Sequence, residues 1–443
     1  MKKAIFGFGA VLLFMLIYLF WADFDLIKKF VGYNAPEFKE SETVSVGGGE
    51  LAFLDIPEGF EISVVAKDLE NPRVILFDPK GRMLVSETKA GRVSVLEDPE
   101  PSPAASYGAG KENHLKTRRT LIDGLKSPHG MDFYKDPKTE TTYLYVAETQ
   151  QVARYVYDVS TGRLTDTVGK NITNLPADGQ HFTRAILFGP NFRKSQIIGT
   201  VNTQVDTKLY MSVGSSCDVC EENTWKRAAI LESDPEGSYT AEFAGGLRNS
   251  VFFAFHPVTK EIWATDMGRD NLGDNLPPDE VNIVKVAGPE HKFGARRYGW
   301  PFCYGDKVQD KKFVPDKWER IDITNDCSQT ELPVIKIPAH SAPLGLTFIP
   351  QDQGWPKEWG GDLLVAFHGS WNRNEPTGYK VVRYDLDIDG NVLSGDPINF
   401  ITGWISGDNK NIYGRPVDLK FDNRGNLYIS DDEAGSIYKI IPK

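Results

Sequence analysis

The chain has 443 residues, 40% hydrophobic and 25% charged, with 41 Gly, 27 Pro and a formal net charge of −11. This composition fits a folded domain rich in turns and short strands rather than long helices. It argues against nucleic acid as a partner, because phosphate contacts need clustered Lys and Arg.

At the N-terminus, Met1-Lys2-Lys3 precedes an uncharged apolar run of 18 residues, Ala4 to Trp21. A helix of that length spans about 27 Å, close to the ~30 Å hydrocarbon core of a bilayer. Lys2 and Lys3 favour a cytoplasmic N-terminus, which places everything after Asp23 outside. The run exceeds the apolar region of a cleavable signal, and no clean small-x-small site follows it. An uncleaved transmembrane helix is therefore expected over residues 1–25, anchoring the protein in the cell membrane with the rest in the periplasm or outside the cell. Residues 26–56, polar and carrying Gly47-Gly48-Gly49, read as a linker, and 57–443 as the folded domain.

The strand GFEISVVAKD, 59–68, comes first, and a recurring unit follows it: an apolar strand with Phe, a polar turn and a second apolar strand. The unit recurs at Phe77, Phe133, Phe188, Phe255, Phe348 and Phe421, spaced 55 to 93 residues apart. Turns of D-P-x-G and N-x-x-G type suit tight hairpins. Six such units predict an all-β fold, a six-bladed β-propeller. The 59–68 strand is expected to pair with the C-terminal blade and close the ring.

Polar residues interrupt these units in phase. Arg73, His129, His181, Arg184, Arg248, Asn249, His340 and Arg415 each lie four to eight residues before a repeat Phe. That spacing aims them at one end of the central channel. His368 and Trp371, in AFHGSWNRN, follow a strand and can reach the same mouth. Several Arg suit a ligand with multiple carboxylates, since guanidinium binds carboxylate bidentately. A neutral His beside that ligand can accept a proton from an alcohol.

Between the units lie four cysteines. Cys217 and Cys220 form a C-x-x-C, followed by Cys303 and Cys327; an exported chain reads them as two disulfides, 217–220 and 303–327 on proximity, among three connectivities. The segment ATDMGRDNLGDNLPPDEVNIV combines Asp266, Asp270, Asp274, Asp279 and Glu280 with glycines, the oxygen-rich setting that calcium takes, although it is no EF-hand loop.

The blocks GQHFTRAILFGP, KLYMSVGSSCDVCEE, GGLRNSVFFAFHP, TDMGRD, LPPDEVN, YGWPFCYG and GRPVDLKFDNRGNLYISDD occur in this order. Together they resemble the sugar dehydrogenases dependent on pyrroloquinoline quinone (PQQ), of the glucose/sorbosone dehydrogenase type, nearest their sorbosone and pyranose branch. The resemblance implies PQQ over the channel mouth and calcium, with a sugar, sugar aldehyde or polyol as substrate. His181 falls at the catalytic base, and Arg248 and Asn249 at a pair contacting the quinone. Arg415 matches a cofactor-binding Arg, with Asp431 an acidic residue nearby. Gly268 and Arg269 match the carbonyls that hold calcium, with Asp279 and Glu280 in the adjoining turn. Two positions depart from soluble glucose dehydrogenase: Gln180 replaces a carboxylate before the base, and Tyr413 replaces a second Arg. No C-x-x-C-H haem motif is present, so a separate electron acceptor is implied, a membrane quinone or a cytochrome. A calcium-dependent propeller lactonase and a non-catalytic binding propeller are the alternatives.

Overall fold

A computed structural model describes residues 37–38, 51–98, 116–194, 205–288, 294–313 and 326–443. The expected anchor and most of the linker lie outside these residues. Among the described residues no helix is long and apolar enough to cross a membrane.

Six successive sheets form the blades. Blade 1 holds Pro72–Phe77, Met83–Glu87, Arg92–Glu97 and Thr117–Ile122. Blade 2 holds Met131–Lys135, Thr142–Glu148 and Gln151–Asp158, with Arg163–Leu164 and Lys170–Asn174 both pairing the third strand. In blade 3, Ile186–Pro190, Thr207–Val213, Ala229–Ser233 and Thr240–Gly245 are extended by Arg296–Arg297, which pairs in parallel. Blade 4 contains Phe253–Phe255, Ile262–Asp266, Asp279–Val284 and Ile335–Ile337. Blade 5 contains Pro343–Phe348, Leu363–Phe367, Lys380–Tyr384 and Ile398–Ile401. Blade 6 is Pro416–Phe421, Leu427–Asp431 and Ser436–Pro442, completed by Phe60–Ala66 pairing antiparallel with the last of these. The early strand thus closes the ring as its sequence position predicts.

The repeat phenylalanines occupy the first strand of each blade. Four of them meet, edge to face, an aromatic ring on the second strand of the preceding blade: Phe77 with Tyr428, Phe188 with Tyr145, Phe255 with Tyr210 and Phe348 with Trp263. Each such pair contributes roughly 0.5–1.5 kcal/mol beyond the area it buries. This seam explains why Phe recurs at that register.

The first strands leave backbone groups without a ladder partner toward the axis, and side chains of the preceding blade satisfy them. Asp132 Oδ2 accepts from Phe188 N at 2.7 Å, and Asp418 Oδ2 from Ile75 N at 2.8 Å. Thr265 Oγ1 donates to Leu344 O at 2.8 Å. The strands approach so closely that a Cβ on Gly130 would lie 2.6 Å from Arg184 O. Gly130→Ala is expected to cost about 1–3 kcal/mol through this overpacking. A chemical denaturation midpoint that falls at unchanged slope is the expected reading.

Both expected disulfides, Cys217–Cys220 and Cys303–Cys327, are formed.

Candidate active site

Every blade's first strand starts at the same end of the ring, so the residues ahead of these strands share one rim. In blades 1, 5 and 6 the first strand opens on Pro72, Pro343 and Pro416, and the register shifts within its first residues. Proline offers no ladder donor, so pairing is weakest at that end. A cavity of about 460 Å³ lies there.

Of the in-phase residues, Arg73, His181, Arg248, Asn249, His340 and Arg415 line it. His368 and Trp371 of blade 5 join them, as do Gly268 and Asp279 of blade 4. His129, Arg184, Arg269, Glu280 and Asp431 do not.

His181 Nδ1 lies 3.0 Å from Ser215 O and 2.9 Å from Ser215 Oγ. A carbonyl only accepts, so Nδ1 carries the proton and Nε2 keeps its lone pair. Burial lowers this imidazole to about 3, with the positive charges of Arg248, Arg227 and Arg184 acting in the same direction. It is therefore neutral at working pH. Arg184, wholly buried, donates to the carbonyls of His181, Thr183 and Pro176, each at 2.8 Å. It holds the His181 loop rather than a ligand. His129 is also buried, its Nδ1 3.2 Å from Arg184 O and its ring edge-on to Phe252. Gln180 donates its backbone N–H to Ser216 O.

Arg248 is built on Asp266, whose two oxygens accept the backbone N–H groups of Arg248 and Asn249 at 3.0 and 2.7 Å. Burial, with the charge of Glu280, pushes the Asp266 carboxyl up to about 8. The Arg248 guanidinium donates from Nε to Asp218 O at 2.8 Å and from Nη2 to Asp218 Oδ1 at 2.9 Å. Asp270 accepts from Asn372 Nδ2 at 2.6 Å.

The acidic segment spends its carboxylates mainly on the protein's own N–H groups. Asp279 accepts from Gly268 N and Ala342 N, both at 2.9 Å, and burial pushes it up to about 7. Glu280 accepts from Gly305 N at 2.8 Å, and Arg269 pairs with Asp310.

On the opposite wall, Arg73 Nη1 donates to Asp432 Oδ2 at 2.6 Å, and His368 Nε2 lies 2.9 Å from Asp432 Oδ1. Burial alone would raise the Asp432 carboxyl, but His368 and Arg73 outweigh it and hold it well below the usual range. Asp431 faces the other way. It accepts from Arg415 N, Trp404 Nε1 and Tyr438 OH, and so supports Arg415 from below. The carboxylate that holds the cavity-lining Arg73 and His368 is Asp432, which the sequence reading missed; strand alternation carried the signal, since Asp431 and Ile429, two residues apart, are both fully buried. Ser215 and Asp218 were also missed, in a segment noticed for its cysteines and its family resemblance but assigned no site residue. Tyr413 packs against Phe53.

Arg415 donates to Tyr379 OH at 3.0 Å and Gly369 O at 3.3 Å, and has no acidic partner among the described residues. Among the described residues, Arg73 Nε and Asn372 Oδ1 are buried without a hydrogen-bond partner. A wall with an uncompensated guanidinium and unsatisfied polar atoms fits a ligand carrying several carboxylates and carbonyls.

Comparison with known proteins agrees with the fold. An uncharacterized protein of Borreliella burgdorferi is 28% identical over 407 residues, covering 90% of this chain and 93% of that one. The PQQ-dependent pyranose dehydrogenase of Coprinopsis cinerea is 24% identical over 87% of this chain; the match spans 54% of that longer protein. Among solved structures, an iodide structure of a Trichoderma reesei carbohydrate-active enzyme of family AA12 superposes with a TM-score of 0.67 at 21% identity, covering 92% of this chain and all of that one. The TrAA12-like family model matches residues 54–443, and the chain belongs to that family.

Proposed function

We propose that the chain is a quinoprotein dehydrogenase that oxidises a sugar or related polyol with PQQ held in the cavity. The observation that carries this reading is Arg415, a guanidinium in the cavity wall without an acidic partner among the described residues, facing the same space as the neutral His181. Arg73, Arg248, Asn249 and Arg415 would hold the cofactor's carboxylates and carbonyls. PQQ, when bound, supplies the two-electron oxidant. His181 takes the substrate hydroxyl proton at Nε2, while the walls orient the carbon that gives up hydride.

Calcium belongs to the same proposal. Among the described residues no three acidic or histidine side chains converge in the cavity, so Gly268 and Arg269 would offer backbone carbonyls, with Asp279 bonded to Gly268 N. A lactonase reading needs carboxylates converging on an axial metal and finds less support in this arrangement.

The apolar run after Lys2-Lys3 supports a membrane-anchored domain outside the cytoplasm, passing electrons to a membrane quinone or a cytochrome.

Apo-protein incubated with PQQ, with and without calcium, is expected to reduce an artificial dye when given aldopyranoses. Dye reduction independent of PQQ, or none with any sugar or polyol, would count against the reading.

A further inference from the structure

The segment between the second and third strands of blade 3 bridges the two halves of the proposed site, and this inference rests on the roles given above to His181 and Arg248. On one side, Ser215 offers its carbonyl and hydroxyl oxygens to His181 Nδ1 at 3.0 and 2.9 Å. Ser215 Oγ sends its single proton to Cys217 O at 2.6 Å, so toward His181 it only accepts. On the other side, Asp218 takes Arg248 through both its carbonyl and its carboxylate, and also accepts Asp270 N at 2.7 Å and Trp300 Nε1 at 3.2 Å. Ser215 N donates to Arg248 O at 2.7 Å, which ties the two sides together. The Cys217–Cys220 bridge closes the loop between these contacts.

There is no slack around it. A Cβ on Gly214 would sit 2.5 Å from Asn249 Oδ1 and 2.7 Å from His181 Cβ. A Cβ on Gly179, at φ +89°, would sit 2.5 Å from Ser216 Cα.

We propose that the disulfide-closed loop from Ser215 to Cys220 is the positioning device of the site: Ser215 sets the tautomer of His181, Asp218 sets the guanidinium of Arg248, and the bridge fixes their spacing. A lone imidazole divides between two tautomers, and only the one with hydrogen on Nδ1 presents a lone pair at Nε2.

The test reads His181 directly. In protein labelled with nitrogen-15, the imidazole shifts should show the Nδ1–H tautomer alone. In Cys217→Ser/Cys220→Ser the two tautomers should mix. Ser215→Ala keeps the carbonyl and should raise the minor tautomer about 5-fold, the worth of one neutral hydrogen bond. In parallel, equilibrium titration should show Asp218→Asn weakening PQQ binding by about 10–100-fold, as loss of a charge-assisted contact does, while Ser215→Ala binds normally. Wild-type tautomer populations in both the bridge and Ser215 variants, even with lowered stability, overturn the proposal and leave the loop a plain structural element. The tautomer measurement needs no cofactor, so it decides the proposal even if no PQQ binds, an outcome that would sink the functional reading alone.

Discussion

His181→Ala is expected to lower turnover by about 10²–10⁴, the usual worth of a positioned base, with PQQ affinity close to that of the unaltered protein. The split between the two effects follows from geometry. The imidazole is fixed by Ser215 and by the neighbouring backbone, whereas the cationic groups assigned to the cofactor belong to other blades. Removing the ring therefore takes away the proton acceptor and leaves the guanidinium wall standing. His181→Ala should also relieve an acid penalty. An imidazole held at about 3 in the fold leaves the unfolded chain, at about 6.5, to bind the proton first. Stability contributed by this group is thus lost as pH falls from 6.5 toward 3, and the variant should be less acid-sensitive in that window. Steady-state kinetics and a cofactor titration on the same preparation separate the two effects. Full activity in the variant would remove His181 from the mechanism.

Asp432→Ala is expected to destabilise the domain by about 3–5 kcal/mol, the range for removing one partner of a buried ion pair. Asp432 and Arg73 have side chains only 8% and 10% exposed, so the stranded guanidinium cannot be rehydrated cheaply. His368 loses the partner of its Nε2 in the same step. The sign with pH is fixed by the direction of the shift. A carboxyl held below its unfolded value of about 3.9 contributes stability above that pH, and loses it as pH falls toward the lower folded value. The variant should accordingly lose part of the acid-induced unfolding expected below pH ~4. Urea denaturation at neutral and acid pH reads both effects. An unchanged midpoint at neutral pH would mean that the pair contributes nothing net.

The ring was legible because its repeat has a physical cause. Phe188, Phe255 and Phe348 recur since each must meet an aromatic of the blade before it, and the closing strand betrays itself by standing unpaired ahead of the first unit. The rim was legible for the same reason: phase with the repeat says at which end a residue sits. Phase does not say how deep it sits. His129 and Arg184 are in phase, yet they lie between the inner strands of blades 2 and 3 and bond each other. In the acidic segment the task of each carboxylate was not legible. Composition cannot distinguish carboxylates that wait for a cation from those that cap backbone N–H groups, and Asp266 and Asp279 do the latter. Ser215 and Asp218 act through contacts made across the loop and to other segments, which no local pattern displays.

The most direct test is a single turnover without oxygen or any other acceptor. Apo-protein is loaded with one equivalent of PQQ, its spectrum is recorded, and an aldopyranose is added. The account predicts that the oxidised cofactor's absorbance is lost in one phase in the unaltered protein, and at least about 100-fold more slowly in His181→Ala. PQQ that binds but keeps its oxidised spectrum with every sugar, or that is reduced equally fast in both proteins, would contradict it.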